Sequence, residues 1–189
     1  MEDAALIVVA KQAMTPPLTL LDRVLQQGEY PARLGVRTAG DATAEELRST
    51  EWGAVFLRWQ KPEIHEVILI ERQVLGVEEE ATAIMEALQK FTSTLPASGG
   101  KLLIEEQLRE TQVIYAFYTL PALLADADHP AWDAINALLC TLADHTEGMI
   151  YALEEGFYDS EGEPMILELN LTYDWEGDFQ EEELEEEEA

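Results

Sequence analysis

The chain has one cysteine, Cys140, among its 189 residues, so no internal disulfide can hold it together. A secreted, disulfide-framed scaffold is excluded on that count. Cys140 sits in an apolar helical run, where a small buried hydrophobe is the default reading. No basic side chain stands near it in sequence to activate the thiol. No run approaches 18 apolar residues, so no transmembrane helix is expected. The first 11 residues offer neither a basic leader nor an apolar stretch long enough for a signal peptide, and the expected compartment is cytoplasmic.

Nucleotide and hydrolase signatures are also missing. There is no Gly-x-x-x-x-Gly-Lys or Gly-x-Gly-x-x-Gly loop to cradle a phosphate and no Gly-x-Ser-x-Gly elbow to expose a nucleophile. His65, His129 and His145 are the only histidines, and neither their spacing nor a Cys-x-x-Cys pair completes a zinc set. His145 is instead placed to stabilise a helix C-terminus. No cofactor and no enzymatic activity are expected from these patterns.

The most uneven absence is that of positive charge. All 11 Lys and Arg fall between Lys11 and Arg109, where they face 17 acids; after Arg109 there are 22 acids and no Lys or Arg, for a net charge of -28. Nucleic-acid binding needs cations to displace counterions from phosphates, so direct DNA or RNA binding is disfavoured, as is an anionic membrane surface. Such acidity either keeps the chain soluble or complements a basic partner.

What is present is enough to fold. Apolar residues make up 47% of the chain, which suits a packed core and an α+β class. The pattern predicts a largely antiparallel sheet with helices packed mainly on one face. Ala5 to Ala10 reads as a buried strand, and Thr15-Pro16-Pro17 as the start of a helix closed by Gly28. A strand over Arg33 to Thr38, a short helix over Thr43 to Ser49, and strands over Trp52 to Trp59 and Ile64 to Arg72 follow. A helix with the stripe Ala81, Ile84, Met85, Leu88 and Phe91 comes next. Pro96 to Gly100 reads as a linker, Lys101 to Leu108 and Gln112 to Thr119 as paired strands, and Asp128-His129-Pro130 as the start of another helix. Met149 to Leu153 and Met165 to Leu171 close the sheet. One domain is expected over residues 1–173, with possible divergent αββ-type repeats in halves 1–95 and 101–173. An acidic tail, expected to be flexible, covers 174–189.

Two segments carry the functional expectation. Asp159-Ser160-Glu161-Gly162-Glu163 alternates acids with a glycine, as the opening of a calcium loop does, but Asn170 stands where the twelfth-position Glu would be. A hairpin turn carrying Gly156-Phe157-Tyr158 is the better reading. The segment after Thr172 carries ten acids between Asp174 and Ala189, punctuated by Tyr173, Trp175, Phe179 and Leu184. Carboxylates steer an encounter with a basic surface, and aromatics supply buried area. The expected function is an acidic protein-interaction module of the inhibitor, antidote or chaperone kind, binding a basic or nucleic-acid-binding protein partner. Its contact residues are Glu154, Glu155, Asp159, Glu161, Tyr173, Trp175, Phe179 and Leu184, with no metal and no catalytic residue assigned. An enzyme with an acidic pocket, an accessory subunit of a larger assembly and a homo-oligomer are the alternatives.

Overall fold

A computed structural model describes residues 5–36, 40–126, 128–153 and 155–167. Glu154, Tyr173, Trp175, Phe179 and Leu184 lie outside them, as does the whole of 168–189.

Eight strands form one sheet in the order β2-β3-β4-β5-β1-β6-β7-β8, every neighbouring pair antiparallel. In chain order the elements are β1 (Leu6–Ala10), α1 (Leu18–Gln27), β2 (Ala32–Gly35), α2 (Ala44–Arg48), β3 (Ala54–Trp59), β4 (His65–Val74), α3 (Glu79–Thr94), α4 (Gly99–Glu110), β5 (Val113–Thr119), α5 (Pro121–Leu124), α6 (Ala131–His145), β6 (Gly148–Ala152), β7 (Gly156–Tyr158) and β8 (Pro164–Leu167). The α+β class and the antiparallel sheet follow the sequence patterning.

The two halves meet at the centre, where β1 pairs with β5. Each half contributes a strand, a helix and a three-stranded meander, but the chain enters the first meander at its far edge and the second beside β1. β1 and β2 therefore run parallel to each other, as do β5 and β6. The two crossovers travel in opposite senses from oppositely directed strands, so a shared right-handed preference sends α1 and α6 to the same face. They do share one hydrophobic cluster there, built on Leu18, Leu21, Leu25, Ile135, Leu138 and Leu142. β4 and β5 are adjacent and antiparallel, and α3 and α4 join them across the other face, where Met85, Leu88, Ile104 and Leu108 form a second cluster.

Helices thus cover both faces rather than mainly one. The central strands required it: Val8, Ala10, Val113, Tyr115 and Phe117 point into the first cluster, and Ile7, Val9, Ile114 and Ala116 into the second. A strand apolar on both faces must be covered on both. β3 alternates instead, with Val55, Leu57 and Trp59 buried on the α1/α6 side only.

The segment Lys101 to Leu108 is helical, not a strand. Ser98 caps α4, its hydroxyl accepting the Lys101 N–H at 3.1 Å, and Gly99-Gly100 forms the first turn rather than a linker. Gly100 lets β8 approach closely there, since a Cβ would lie 3.3 Å from both Ile166 Cγ1 and the Met165 carbonyl oxygen of β8. Helix α1 begins after Pro17 rather than on it, and Gly148 opens β6 while α6 ends at His145. A Cβ at Gly148 would sit 3.0 Å from the Val9 carbonyl oxygen, which fixes glycine where β6 meets β1. Gly156-Phe157-Tyr158 forms strand β7 itself, and the turn lies beyond it.

Candidate functional site

A helix is about 10 Å across and strands lie about 4.8 Å apart, so one helix covers roughly two strands. Helix α6 runs from β5 towards β6, and β7 and β8 extend past its edge. The β7–β8 turn bends back over the helix until Gly162 comes within van der Waals reach of Cys140, 3.5 Å from its Sγ to an ideal Cβ position. Between them opens a cleft of about 350 Å³. Its floor is Leu6, Leu139, Ile150 and Ala152, and its rim is Asn136, Cys140, Glu155, Tyr158, Glu161 and Gly162.

The turn is held by Asp159. One carboxylate oxygen, Oδ1, accepts the backbone N–H groups of Glu161 and Glu163, each at 2.9 Å. The Asp159 N–H donates to the Glu163 carbonyl at 3.0 Å, and the Gly162 N–H to the Asp159 carbonyl at 3.1 Å. Gly162 occupies the left-handed region at φ +83, where glycine carries no Cβ penalty. These bonds point the Asp159 carboxylate into its own loop and leave Glu161 and Glu163 exposed outside it. Among the described residues, no group of three His, Cys, Asp or Glu side chains stands close enough to hold a metal ion.

Glu155 accepts the Tyr158 hydroxyl at 3.1 Å on the rim. Burial, then the bond to Glu155, raises the Tyr158 pKa, so the phenol keeps its proton and donates. Burial and the charge of Asp159 likewise push the Cys140 thiol up, away from reactive thiolate character. Cys140 is half-buried and lines the cleft wall rather than the core.

Three of the sequence-predicted contact residues, Glu155, Asp159 and Glu161, are therefore brought together at one edge of the sheet. Glu155 and Glu161 reach the cleft rim and Asp159 braces the loop that carries Glu161. Asn136, Cys140 and Tyr158 escaped the sequence reading. Asn136 and Cys140 stand four apart on α6, just off its apolar stripe, a spacing that marks one helix face but cannot say what that face meets.

The carboxylates around this edge stand apart from cations. Among the described residues, Glu110 is the one acid after Arg109 within ion-pair distance of a Lys or Arg, at 2.6 Å from Lys11 Nζ. Asp126, Asp128, Asp133, Asp144, Glu147, Glu155, Glu161 and Glu163 are exposed.

Two of the three histidines, His65 and His129, unrelated in sequence spacing, do meet. His129 lies edge-on to Trp59 at 5.4 Å and to His65 at 5.7 Å, ring centroid to centroid. His129 Nδ1 accepts the Ala131 N–H at 3.1 Å at the start of α6, and His65 Nδ1 lies 2.9 Å from the Glu63 carbonyl. Both rings are thereby tied to local backbone.

No protein-family model matches this chain, and neither the curated proteins nor the solved structures yield a match.

Proposed function

We propose that the chain is an acidic protein-interaction module that binds a basic protein partner and competes with that partner's nucleic acid. The observation that carries this reading is the set of exposed carboxylates on α6 and the β6–β8 edge, none of which lies within ion-pair distance of a Lys or Arg among the described residues. A protein that gained only solubility from its acids could scatter them among cations; here the cations are confined to the first 109 residues. Unscreened carboxylates on one edge present a negative field that raises the rate of encounter with a basic surface and repels polyanions. The acid-rich segment after Thr172, which follows β8 in the sequence, brings Trp175 and Phe179 as apolar contacts for the partner.

The test is binding to purified basic proteins of isoelectric point above about 9 that bind duplex DNA. Neutral and acidic proteins serve as controls. The full chain is compared with a version ending at Thr172. Binding restricted to the basic set, weakening steadily with salt and displacing the DNA, is the expected result. Equal retention of the control proteins, or no binding of the basic set at low salt, would remove the proposal.

A further inference from the structure

We infer that the cleft between α6 and the β7–β8 turn is an anchor pocket for one lysine or arginine side chain of the basic partner. This inference rests on the acidic-module reading and adds the atomic form of the contact. A Lys or Arg side chain has two unlike parts, an apolar stem of three or four methylenes and a cationic head that stays near water or a carboxylate. The cleft offers the matching pair. Its floor of Leu6, Leu139, Ile150 and Ala152 is aliphatic, and Glu155 and Glu161 stand on the rim with no Lys or Arg within ion-pair distance among the described residues. Asn136 adds a neutral carbonyl acceptor at the same rim. At about 350 Å³ the volume lies at the small end of the range for ligand sites, about 300–1,000 Å³, and suits a side chain better than a cofactor.

The local chemistry keeps the site ready. Tyr158 donates a hydrogen bond to Glu155 and so fixes that carboxylate in place without cancelling its charge. Asp159 holds the loop that carries Glu161 through two backbone amides. The Cys140 thiol, neutral because its pKa is raised, behaves as one more apolar wall atom. Charge complementarity alone would accept any cation. The aliphatic floor selects a cation on a stem, and the narrow volume admits one side chain at a time.

The test follows backbone amide resonances of the full chain during titration with N-acetyl-arginine methylamide and N-acetyl-lysine methylamide. N-acetyl-norleucine methylamide supplies the stem without the charge, and methylguanidinium the charge without the stem. Saturable shifts at Asn136, Ile150 and Gly162 with the first two probes, and at least tenfold weaker effects with the other two, are expected. Glu161→Gln and Glu155→Gln should each weaken the arginine probe about tenfold. Asn136→Trp, which closes the mouth from an exposed helix position and leaves every carboxylate in place, should abolish it. Glu86→Gln, an exposed change on α3 at the opposite face, should leave it unchanged. In parallel, wild type and Asn136→Trp are titrated with decalysine at low salt. Decalysine binding without cleft shifts, or equal decalysine affinity for Asn136→Trp and wild type, would overturn the pocket while sparing the acidic module. Absence of decalysine binding would overturn both. Loss of Cys140 alkylation by maleimide in the presence of the arginine probe, with the variants' folding checked by the same spectra, provides an independent positive result.

Discussion

The β2–β4 end of the sheet and the β6–β8 end handle negative charge in opposite ways. At the first end Arg58 spans two acids, with Nη1 2.6 Å from Asp41 and Nε 4.0 Å from Glu66. Away from that end, Lys101 lies 3.9 Å from Glu105 on α4, the helix whose first turn packs against β8, and Lys11 meets Glu110 at the end of β1. At the second end the carboxylates meet neutral donors: Asp159 takes backbone amides, Glu155 a tyrosine, and Glu147 the Gln12 side-chain amide at 2.7 Å. Neutral donors fix a carboxylate's position and leave its charge in place. Arg58 neutralises two acids at the first end, whereas no described acid on α6 or β6–β8 lies within ion-pair distance of a Lys or Arg. The two ends therefore differ in what these carboxylates meet, a cation at one and neutral donors at the other.

The largest expected effect comes from removing the packing that holds the β6–β8 edge in place. Phe157 is fully buried against Phe91 and Tyr151, at ring centroid separations of 6.1 and 4.9 Å. Phe157→Ala should cost about 3–5 kcal/mol in denaturant unfolding and loosen β7 and β8, abolishing basic-partner binding. An unchanged midpoint would mean that this edge is not packed as described.

A smaller loss is expected where the two regions are tied together. Gln107 on α4 is buried and donates through Nε2 to the Val9 carbonyl at 3.0 Å and the Glu147 carbonyl at 2.9 Å. Gln107→Leu removes both hydrogen bonds and buries an apolar side chain against polar carbonyls, and should cost about 1–3 kcal/mol. Chemical denaturation of both proteins checks it.

Swapping the charge character of the two ends gives a sharper comparison. Replacing Asp144, Glu155 and Glu161 by the corresponding amides should weaken basic-protein binding at least tenfold, about 1.4 kcal/mol, with little change in melting. The same number of neutralisations at Glu45, Glu51 and Glu63 should change binding less than threefold. Equal losses from both sets would show that only net charge matters and erase the distinction between the ends.

The alkaline limit separates the faces rather than the ends. Tyr118 on β5 donates to Glu80 Oε1 at 2.9 Å and accepts from Gln73 Nε2 at 3.2 Å. Burial, then the Glu80 hydrogen bond, raises its pKa well above the usual tyrosine value. An acid whose folded pKa is raised contributes stability that is complete below its unfolded pKa, about 10, and is lost as pH rises through the folded value. Stability of wild type should fall above about pH 10, and Tyr118→Phe should flatten that fall. The smallest effect belongs to Glu110, whose pKa is lowered by its hydrogen bond to Lys11. Its titration should move up towards the ordinary glutamate range in Lys11→Met, measured by carboxyl carbon shifts.

Much of the fold was legible in the residues, because the decisive signals were local. The apolar run Ala5 to Ala10 marked a buried strand, and Thr43 with Glu46 closes a capping box at the short helix α2. Lys101 to Leu108 misled because Gly99-Gly100 argues against a helix on propensity, about 1 kcal/mol per glycine relative to alanine. The close approach of β8 makes glycine the residue that fits at position 100, and β8 lies more than sixty residues away in sequence. At the candidate site the acids were visible as a run, while the aliphatic floor was spread over β1, α6 and β6 with no common spacing.

The sequence by itself determined the α+β class, most of the strands and helices outside α4, the antiparallel sheet and the confinement of Lys and Arg to the first 109 residues, because each depends on residue identity and short-range order. Only the tertiary structure decided that the helices divide between two faces, that β1 and β5 join the halves at the centre, and that Glu155 and Glu161 rim a cleft floored by residues from Leu6 to Ala152. The strand order sets which side chains become neighbours, and that order follows from helices crossing a twisted sheet, a long-range packing choice that no window of local sequence encodes.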